Sequence, residues 1–209
     1  DTFSGPTWQT VKGGSRAYVT KMTDELIARG VSIRTEARIT EITRTSESVT
    51  IHTDSGIAAH DSYDYCVFAT HADTALTLLA NPTADEKNAL SLCTYSRNTT
   101  VLHSDSRLMP ENKDAWASWN YRASDTADSL EHLSITYNMN LLQSIDEKYP
   151  MYVTLNPDVP INPSLIHGTY EYTHPHFSID TVRAQTVIAL SQGKNRTYFA
   201  GAYLGYGPH

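Results

Sequence analysis

The sequence predicts a mixed α/β (α+β) chain in which an α/β region gives way to a β-rich insert and then resumes. Three observations predict this. A segment of helical period follows the double glycine Gly13-Gly14. The continuous apolar run Tyr65-Cys-Val-Phe-Ala69 has the pattern of a strand buried on both faces of a parallel or mixed sheet. From about residue 95, short strand-like pieces rich in Trp, Tyr and Asn replace helical periodicity until about residue 176.

Val19, Met22 and Leu26 sit at helical spacing over residues 17–29, and Gly30 supplies a left-handed stop. Val31 and Ile33 then alternate with polar residues as a short strand, and residues 37–44 form a second extended stretch. Residues 49–52 and 57–60 flank the turn Asp54-Ser-Gly56, which predicts a small antiparallel ribbon. After the apolar run, Thr70-His-Ala-Asp73 leads into a helix over residues 73–79. A further helix starts beyond Pro82, where Thr83 and Glu86 have the spacing of a capping box and Ala89, Leu90 and Cys93 supply an apolar side. Strands are expected at 99–103, 116–121, 133–137, 151–155 and 168–172, punctuated by Pro and Asn at Met109-Pro110, Asn156-Pro157, Val159-Pro160 and Asn162-Pro163. A helix returns over residues 179–192, Gly193 ends it, and Arg196-Thr-Tyr-Phe-Ala-Gly-Ala-Tyr203 reads as a strand running into glycine.

At 209 residues with 40% hydrophobic content, the chain can bury one sizeable core or two small ones. A formal charge of -7 without a basic cluster argues against nucleic-acid binding. No apolar run approaches the roughly 20 residues of a membrane helix, and no basic-then-apolar leader is present. The two cysteines, Cys66 and Cys93, are expected as buried free thiols, which suits a reducing, cytoplasmic setting. Asn98-Thr-Thr100 and Asn195-Arg-Thr197 match the glycosylation triplet, a pattern that also arises by chance. The start at Asp1 and the apolar, glycine-rich end Leu204-Gly-Tyr-Gly-Pro-His209 lead us to expect a piece of a longer chain.

Gly13-Gly14-Ser15-Arg16 opens a helix, so it is either a plain turn or a place where free backbone N–H groups meet an anionic ligand. The complete dinucleotide fingerprint Gly-x-Gly-x-x-Gly is absent, as are the phosphate loop and the Gly-x-Ser-x-Gly of hydrolases. His174-Pro-His176 could offer two imidazoles to a metal, but no accompanying ligand motif supports it and a surface loop is the preferred reading. Trp116, Trp119, Tyr121, Tyr137 and Tyr172 either line a pocket for a flat or apolar ligand or form the core of the β-rich sheet.

Taken in order, these pieces resemble a known family. The double-glycine turn and helix, Ala37-Arg-Ile-Thr-Glu-Ile-Thr-Arg44, the hairpin, Phe68-Ala-Thr-His-Ala-Asp73, Trp116-Ala-Ser-Trp-Asn-Tyr121, Val153-Thr-Leu-Asn-Pro157 and Tyr198-Phe-Ala-Gly-Ala-Tyr203 are similar to the flavin-containing amine oxidase superfamily, in the branch of predicted NAD/FAD-binding, amine-oxidase-like oxidoreductases. The resemblance covers nearly the whole chain. It implies a partial FAD-binding, Rossmann-like domain over residues 1–94 and 177–209, with an inserted mixed or antiparallel substrate domain over residues 95–176.

By the same resemblance, Gly13, Gly14, Ser15 and Arg16 match the turn near the flavin, and Ile39 matches the apolar strand position whose backbone meets the adenine. Thr70 and His71 match the strand end beside the cofactor, and Gly201, Ala202 and Tyr203 match the turn approaching the pyrophosphate and isoalloxazine. Trp119, Asn120 and Tyr121 are candidates for the substrate wall; no residue is singled out as catalytic, and no metal site is expected. The implied function is part of an FAD-dependent oxidoreductase that moves a hydride from a small or apolar substrate to flavin. Two departures bear on this: the N-terminal fingerprint with its acidic ribose partner is missing, so little FAD affinity is expected of these residues alone, and Pro208 replaces the usual continuation into a helix. A missing segment or a partner chain would supply the fingerprint. The alternative is a non-catalytic binding or partner protein that keeps the substrate-domain pocket.

Overall fold

The computed structural model describes residues 9–54, 61–122 and 134–205. In chain order its elements are α1 (Gly14–Ala28), β1 (Ile39–Arg44), β2 (Val49–Thr53), β3 (Asp61–Tyr63), β4 (Cys66–Phe68), α2 (Ala72–Leu78), α3 (Ala84–Ser91) and β5 (Tyr95–His103). There follow β6 (Trp119–Arg122), β7 (Ser134–Asn138), α4 (Met139–Gln143), β8 (Tyr152–Leu155), β9 (Ile166–Pro175), α5 (Ile179–Ser191) and β10 (Thr197–Phe199). The chain divides into two compact units: an α/β unit of residues 34–96 and 173–209, and a β-rich unit of residues 1–33 and 97–172.

In the α/β unit, β1, β2 and β3 form an antiparallel sheet in that order, and β4 pairs in parallel with β10. The core gathers Ile42, Val49, Phe68, Leu79, Leu90 and Ile188 from both sheets and from α2, α3 and α5. Phe68 and Phe199 are direct partners in the parallel register and stack at 5.6 Å. α3 begins as its sequence predicts: Thr83 accepts from the Glu86 amide, and the Glu86 carboxylate accepts from the Thr83 amide at 2.7 Å. A second capping box, Ser178 with Thr181, opens α5.

A buried ion pair ties this unit together. Arg44, the last residue of β1, donates to Glu86 at 2.7 and 2.9 Å, to Thr197 Oγ1 at 3.1 Å and to the Asn81 carbonyl at 2.8 Å. Its side chain is 4% exposed and that of Glu86 2%. One guanidinium thus joins β1, β10, the α2–α3 connection and the first turn of α3.

In the β-rich unit the strand order is β6-β7-β8-β5-β9, with β6–β7, β7–β8 and β5–β8 antiparallel. Alternation sorts its side chains into two faces. One face carries Asn120, Ser134, Thr136, Asn138, Tyr152, Thr154, Val101 and His103, all buried. Val101 packs there with Leu108, Ile161 and Val159 from the connecting loops. Most of the rest is polar and mutually satisfied. His103 Nδ1 accepts from the Asp105 amide at 3.1 Å, which leaves the ring proton on Nε2 to donate to Thr154 Oγ1 at 2.7 Å; that hydroxyl lies 2.9 Å from Thr136 Oγ1. Burial lowers the His103 pKa, so the imidazole is neutral. Asp105 accepts from Arg107 and from the Asn162 amide, and its carboxyl is held well below the usual range, first by the Arg107 hydrogen bonds.

Three local expectations change. Val31 and Ile33 form no strand and are 44% and 45% exposed, because residues 31–38 have no strand beside them among the described residues. The run at β4 is buried at Cys66 and Phe68 but exposed at Val67, and β10 repeats this at Tyr198, so the parallel pair is covered on one face only. The hairpin is present as β2–β3, but its second strand begins at Asp61; residues 57–60 lie outside the described residues. The short helix α4, capped by Asn138 and ended by a left-handed Ser144, was not expected from the sequence. Both cysteines are free and buried, as expected.

Candidate functional site

The parallel pairing of β4 and β10 brings two separated segments to one edge. Because the strands point the same way, Thr70 and His71 after β4 emerge beside Gly201 and Ala202 after β10, and the Ala200 amide extends the ladder to the Phe68 carbonyl at 2.8 Å. A Cβ on Gly201 would lie 3.6 Å from the Thr70 carbonyl oxygen and 2.7 Å from the Tyr203 ring. The carboxyl ends of parallel strands are where open α/β sheets take ligands, since the backbone there is unpaired and loops can splay apart.

His71 is exposed but ordered at this edge. Its ring stacks on Tyr95 at 4.2 Å, and Nδ1 lies 3.3 Å from Thr173 Oγ1. Tyr95 in turn accepts from the Ala72 amide at 2.8 Å, and burial pushes its phenol up to about 12, so it stays neutral. Tyr203 points the other way: it is 1% exposed, its ring belongs to the core, and its hydroxyl has no hydrogen-bond partner among the described residues. Burial raises its pKa, helped by Tyr95 and Cys93. Its carbonyl and that of Gly205 accept from Gln185 at 3.0 Å, fastening the glycine-rich turn to α5.

Ile39 begins β1, an outer strand of its sheet, and is 37% exposed, so both its side chain and its strand edge face outward at that position. Gly13 and Gly14 stand at the start of α1 with φ of 88° and 73°, a region in which other residues are strained. Ser15 and Arg16 follow, exposed, with no side chain capping the helix. The structure therefore brings Thr70, His71, Gly201 and Ala202 together, turns Tyr203 inward, and places Gly13 to Arg16 in the β-rich unit.

The second face of the β-rich sheet is exposed along its edge strands β6 and β9, though Thr100 on β5 is buried. Trp119 and Tyr121 on β6 stand opposite Tyr137 and Ile135 on β7, which continue to Val153 and Leu155 on β8 and to Leu102 and Thr100 on β5. Thr99 Oγ1 donates to Glu171, so Glu171 shares the covered side and its neighbours Tyr170 and Tyr172 fall on the open one, stacked at 6.1 Å. Trp119, Tyr121, Tyr170 and Tyr172 are 46%, 66%, 48% and 52% exposed. Trp119 and Tyr121 lie on the edge strand β6 and Tyr170 and Tyr172 on the opposite edge strand β9, so they form two exposed aromatic pairs, each a candidate contact surface.

Asn120 lies on the opposite, covered face. Its amide donates to the Ala117 carbonyl at 2.7 Å and the Thr136 carbonyl at 3.2 Å, and its Oδ1 accepts from the Ala117 amide at 3.0 Å. Those bonds place it in the fold of the β6 entry. Tyr170 was missed from the sequence, although the spacing Tyr170-Glu-Tyr172 carried the signal. The Tyr95 support of His71 left none, because the two residues meet only through tertiary packing. No group of three or more His, Cys, Asp or Glu side chains able to hold a metal occurs among the described residues, and no described helix is long and apolar enough to cross a membrane.

Comparison with known proteins gives a family and a fold. The model of the family "Flavin containing amine oxidoreductase" matches residues 2–207. No curated protein matches the chain. Among solved structures, the CLA-producing fatty acid isomerase from P. acnes is similar with a TM-score of 0.56 at 18% identity, over 82% of this chain and 44% of that one. Cyclohexylamine oxidase from Brevibacterium oxydans IH-35A is similar with a TM-score of 0.53 at 13% identity, over 92% of this chain and 48% of that one. The chain thus spans less than half the length of each of these two proteins.

Proposed function

The chain belongs to the flavin-containing amine oxidoreductase family, and from that premise we propose that it is part of an FAD-dependent oxidoreductase acting on a small or apolar substrate. The observation that carries this reading is the edge formed by parallel β4 and β10, where two stretches far apart in sequence supply exposed backbone and an ordered imidazole at one place. In this reading residues 1–94 and 177–209 serve the cofactor and residues 95–176 the substrate.

The residues present fit one part of an FAD. Thr70, His71, Gly201 and Ala202 would meet the ring end through backbone groups and the His71 side chain, and Gly201 keeps the turn free of a Cβ where Tyr203 packs. Ile39, on its outer strand, would meet the adenine through its backbone. Gly13, Gly14, Ser15 and Arg16 would offer free N–H groups at the start of α1. The turn at Tyr203 contributes its shape, since its ring is buried. The diphosphate and ribose are without a cradle in these residues, because no Gly-x-Gly-x-x-Gly occurs in them. A further segment, of the same polypeptide or of a partner, would complete it.

The chemistry that bound FAD supplies is two-electron acceptance as a hydride from a substrate C–H bond. What the chain contributes is orientation and exclusion of water. Trp119 and Tyr121 on β6 offer a flat, apolar wall against which a small substrate is held; Asn120 shapes that wall from behind.

The test is to purify the natural polypeptide that contains these residues and record its visible spectrum before and after anaerobic addition of candidate amines and unsaturated acids. Flavin bands that bleach with substrate are expected, with KM raised in Trp119→Ala and Tyr121→Ala while the spectrum is unchanged. Absence of bound flavin and of FAD binding on titration would sink the proposal. The alternative reading, a non-catalytic binding or partner protein that keeps the substrate-domain pocket, predicts copurification with a separate flavin-carrying chain and no turnover without it.

A further inference from the structure

We propose that the β-rich unit holds a second binding site, on the covered side of its sheet, for a zwitterionic small molecule of the α-amino-acid type with an apolar side chain. A cavity of about 500 Å³ opens there, within the roughly 300–1,000 Å³ of small-molecule sites. Its residues belong to the β-rich unit alone, and the face from which it opens is the one opposite Trp119 and Tyr121. It is independent of the flavin reading.

The cavity floor is built rather than incidental. Asn138 on β7 and Tyr152 on β8 are directly paired across the two strands, so their side chains stand together on the covered face. Each is 3% exposed, and each lines the cavity. Asn138 Oδ1 accepts from the Leu141 amide at 3.4 Å, while its amide N–H groups and the Tyr152 hydroxyl have no protein partner among the described residues. Both groups keep some contact with solvent, and both residues line the cavity. A side chain buried to this degree with an unmet donor costs about 1–3 kcal/mol unless something within reach accepts from it.

The wall is aromatic. Trp116 meets Tyr152 edge to face at 6.1 Å, and its indole N–H is committed to the Pro110 carbonyl at 2.8 Å, which fixes the ring and leaves its surface for an apolar group. Lys113 lies with its ammonium 5.7 Å from the Trp116 ring centre. Glu147 lines the same cavity. Neither charge is in an ion pair among the described residues, with each other or with another group. A cation and an anion that face one cavity without neutralising each other select a ligand carrying both charges. Its carboxylate would take Lys113 and the Asn138 and Tyr152 donors, its ammonium Glu147, and its side chain the Trp116 surface.

The experiment uses the natural polypeptide that contains these residues and three probes by saturation-transfer NMR and calorimetry: L-phenylalanine, phenethylamine, which lacks the carboxylate, and 3-phenylpropanoate, which lacks the ammonium. L-Phenylalanine is expected to bind at least about tenfold more tightly than either analogue. Lys113 and Glu147 are both exposed, so Lys113→Ala and Glu147→Ala keep the fold, which circular dichroism verifies. Lys113→Ala should weaken L-phenylalanine and leave phenethylamine unchanged; Glu147→Ala should weaken L-phenylalanine and leave 3-phenylpropanoate unchanged. No saturable binding of L-phenylalanine at tens of millimolar, equal binding of the three probes, or indifference to both substitutions overturns the proposal.

Discussion

Replacing Arg44 with Met removes the guanidinium that joins four segments of the α/β unit and leaves the Glu86 carboxylate 2% exposed without its counter-charge. Four hydrogen bonds go at once: two to Glu86, one to Thr197 and one to the Asn81 carbonyl. Glu86 keeps the Thr83 amide. Removing one partner of a buried pair costs about 3–5 kcal/mol, a large share of the about 5–15 kcal/mol that holds a domain. Urea unfolding followed by far-UV circular dichroism should show that loss as a lower midpoint. The double variant Arg44→Met/Glu86→Met, which leaves no orphaned charge, should regain much of it.

The pH dependence provides a sharper check. Burial alone would raise the Glu86 pKa, but the Arg44 hydrogen bonds, the Thr83 amide and the Arg44 charge outweigh it and the net direction is down. A carboxyl lowered in the folded state contributes stability that is present above its unfolded pKa and lost as pH falls through the folded one. Without Arg44 burial prevails and the pKa rises, so this carboxyl should instead favour the folded variant as pH falls. A cost below about 1 kcal/mol for Arg44→Met, or an unchanged sign of the Glu86 contribution between pH 6 and pH 4, refutes the account.

Thr83→Ala removes the oxygen that accepts from the Glu86 amide and should cost about 1 kcal/mol in the same urea assay; no change would mean that α3 does not depend on its cap. Gly193→Ala places a Cβ at φ 79° and 3.0 Å from the Tyr198 hydroxyl, and should destabilise by about 1 kcal/mol, whereas a neutral result would show that the turn relaxes freely. Burial raises the pKa of both Cys66 and Cys93, so neither should react with a thiol reagent at pH 8 until denaturant is added. Rapid labelling of the native protein would contradict their placement in the core.

Much of the α/β unit was legible because its signals are local. The Thr83–Glu86 box, the positive φ of Gly30 and Gly193 and the helical run of α5 each involve neighbours within about one turn, so a few residues suffice to specify them. The five strands of the insert were also readable, through alternation and turn residues. Val31 and Ile33 show where this fails: alternation permits a strand, but the strand exists only if another lies beside it. For the candidate site, Thr70, His71, Gly201 and Ala202 were found through family resemblance, while the Tyr95 ring that steadies His71 was not.

The sequence by itself determined the class of fold, the Thr83–Glu86 cap of α3, the strand spacing that sets Trp119 and Tyr121 on one side, and the family. Tertiary structure alone decided that β4 runs beside β10, that Arg44 meets Glu86, that Asn120 is buried while Trp119 and Tyr121 stay exposed, and that Asn138 and Tyr152 line one cavity. The physical reason is one of range. Periodicity and capping are settled by interactions a few residues apart, whereas strand neighbours, buried charges and cavities are settled by which distant segments lower the free energy most when the chain closes on itself.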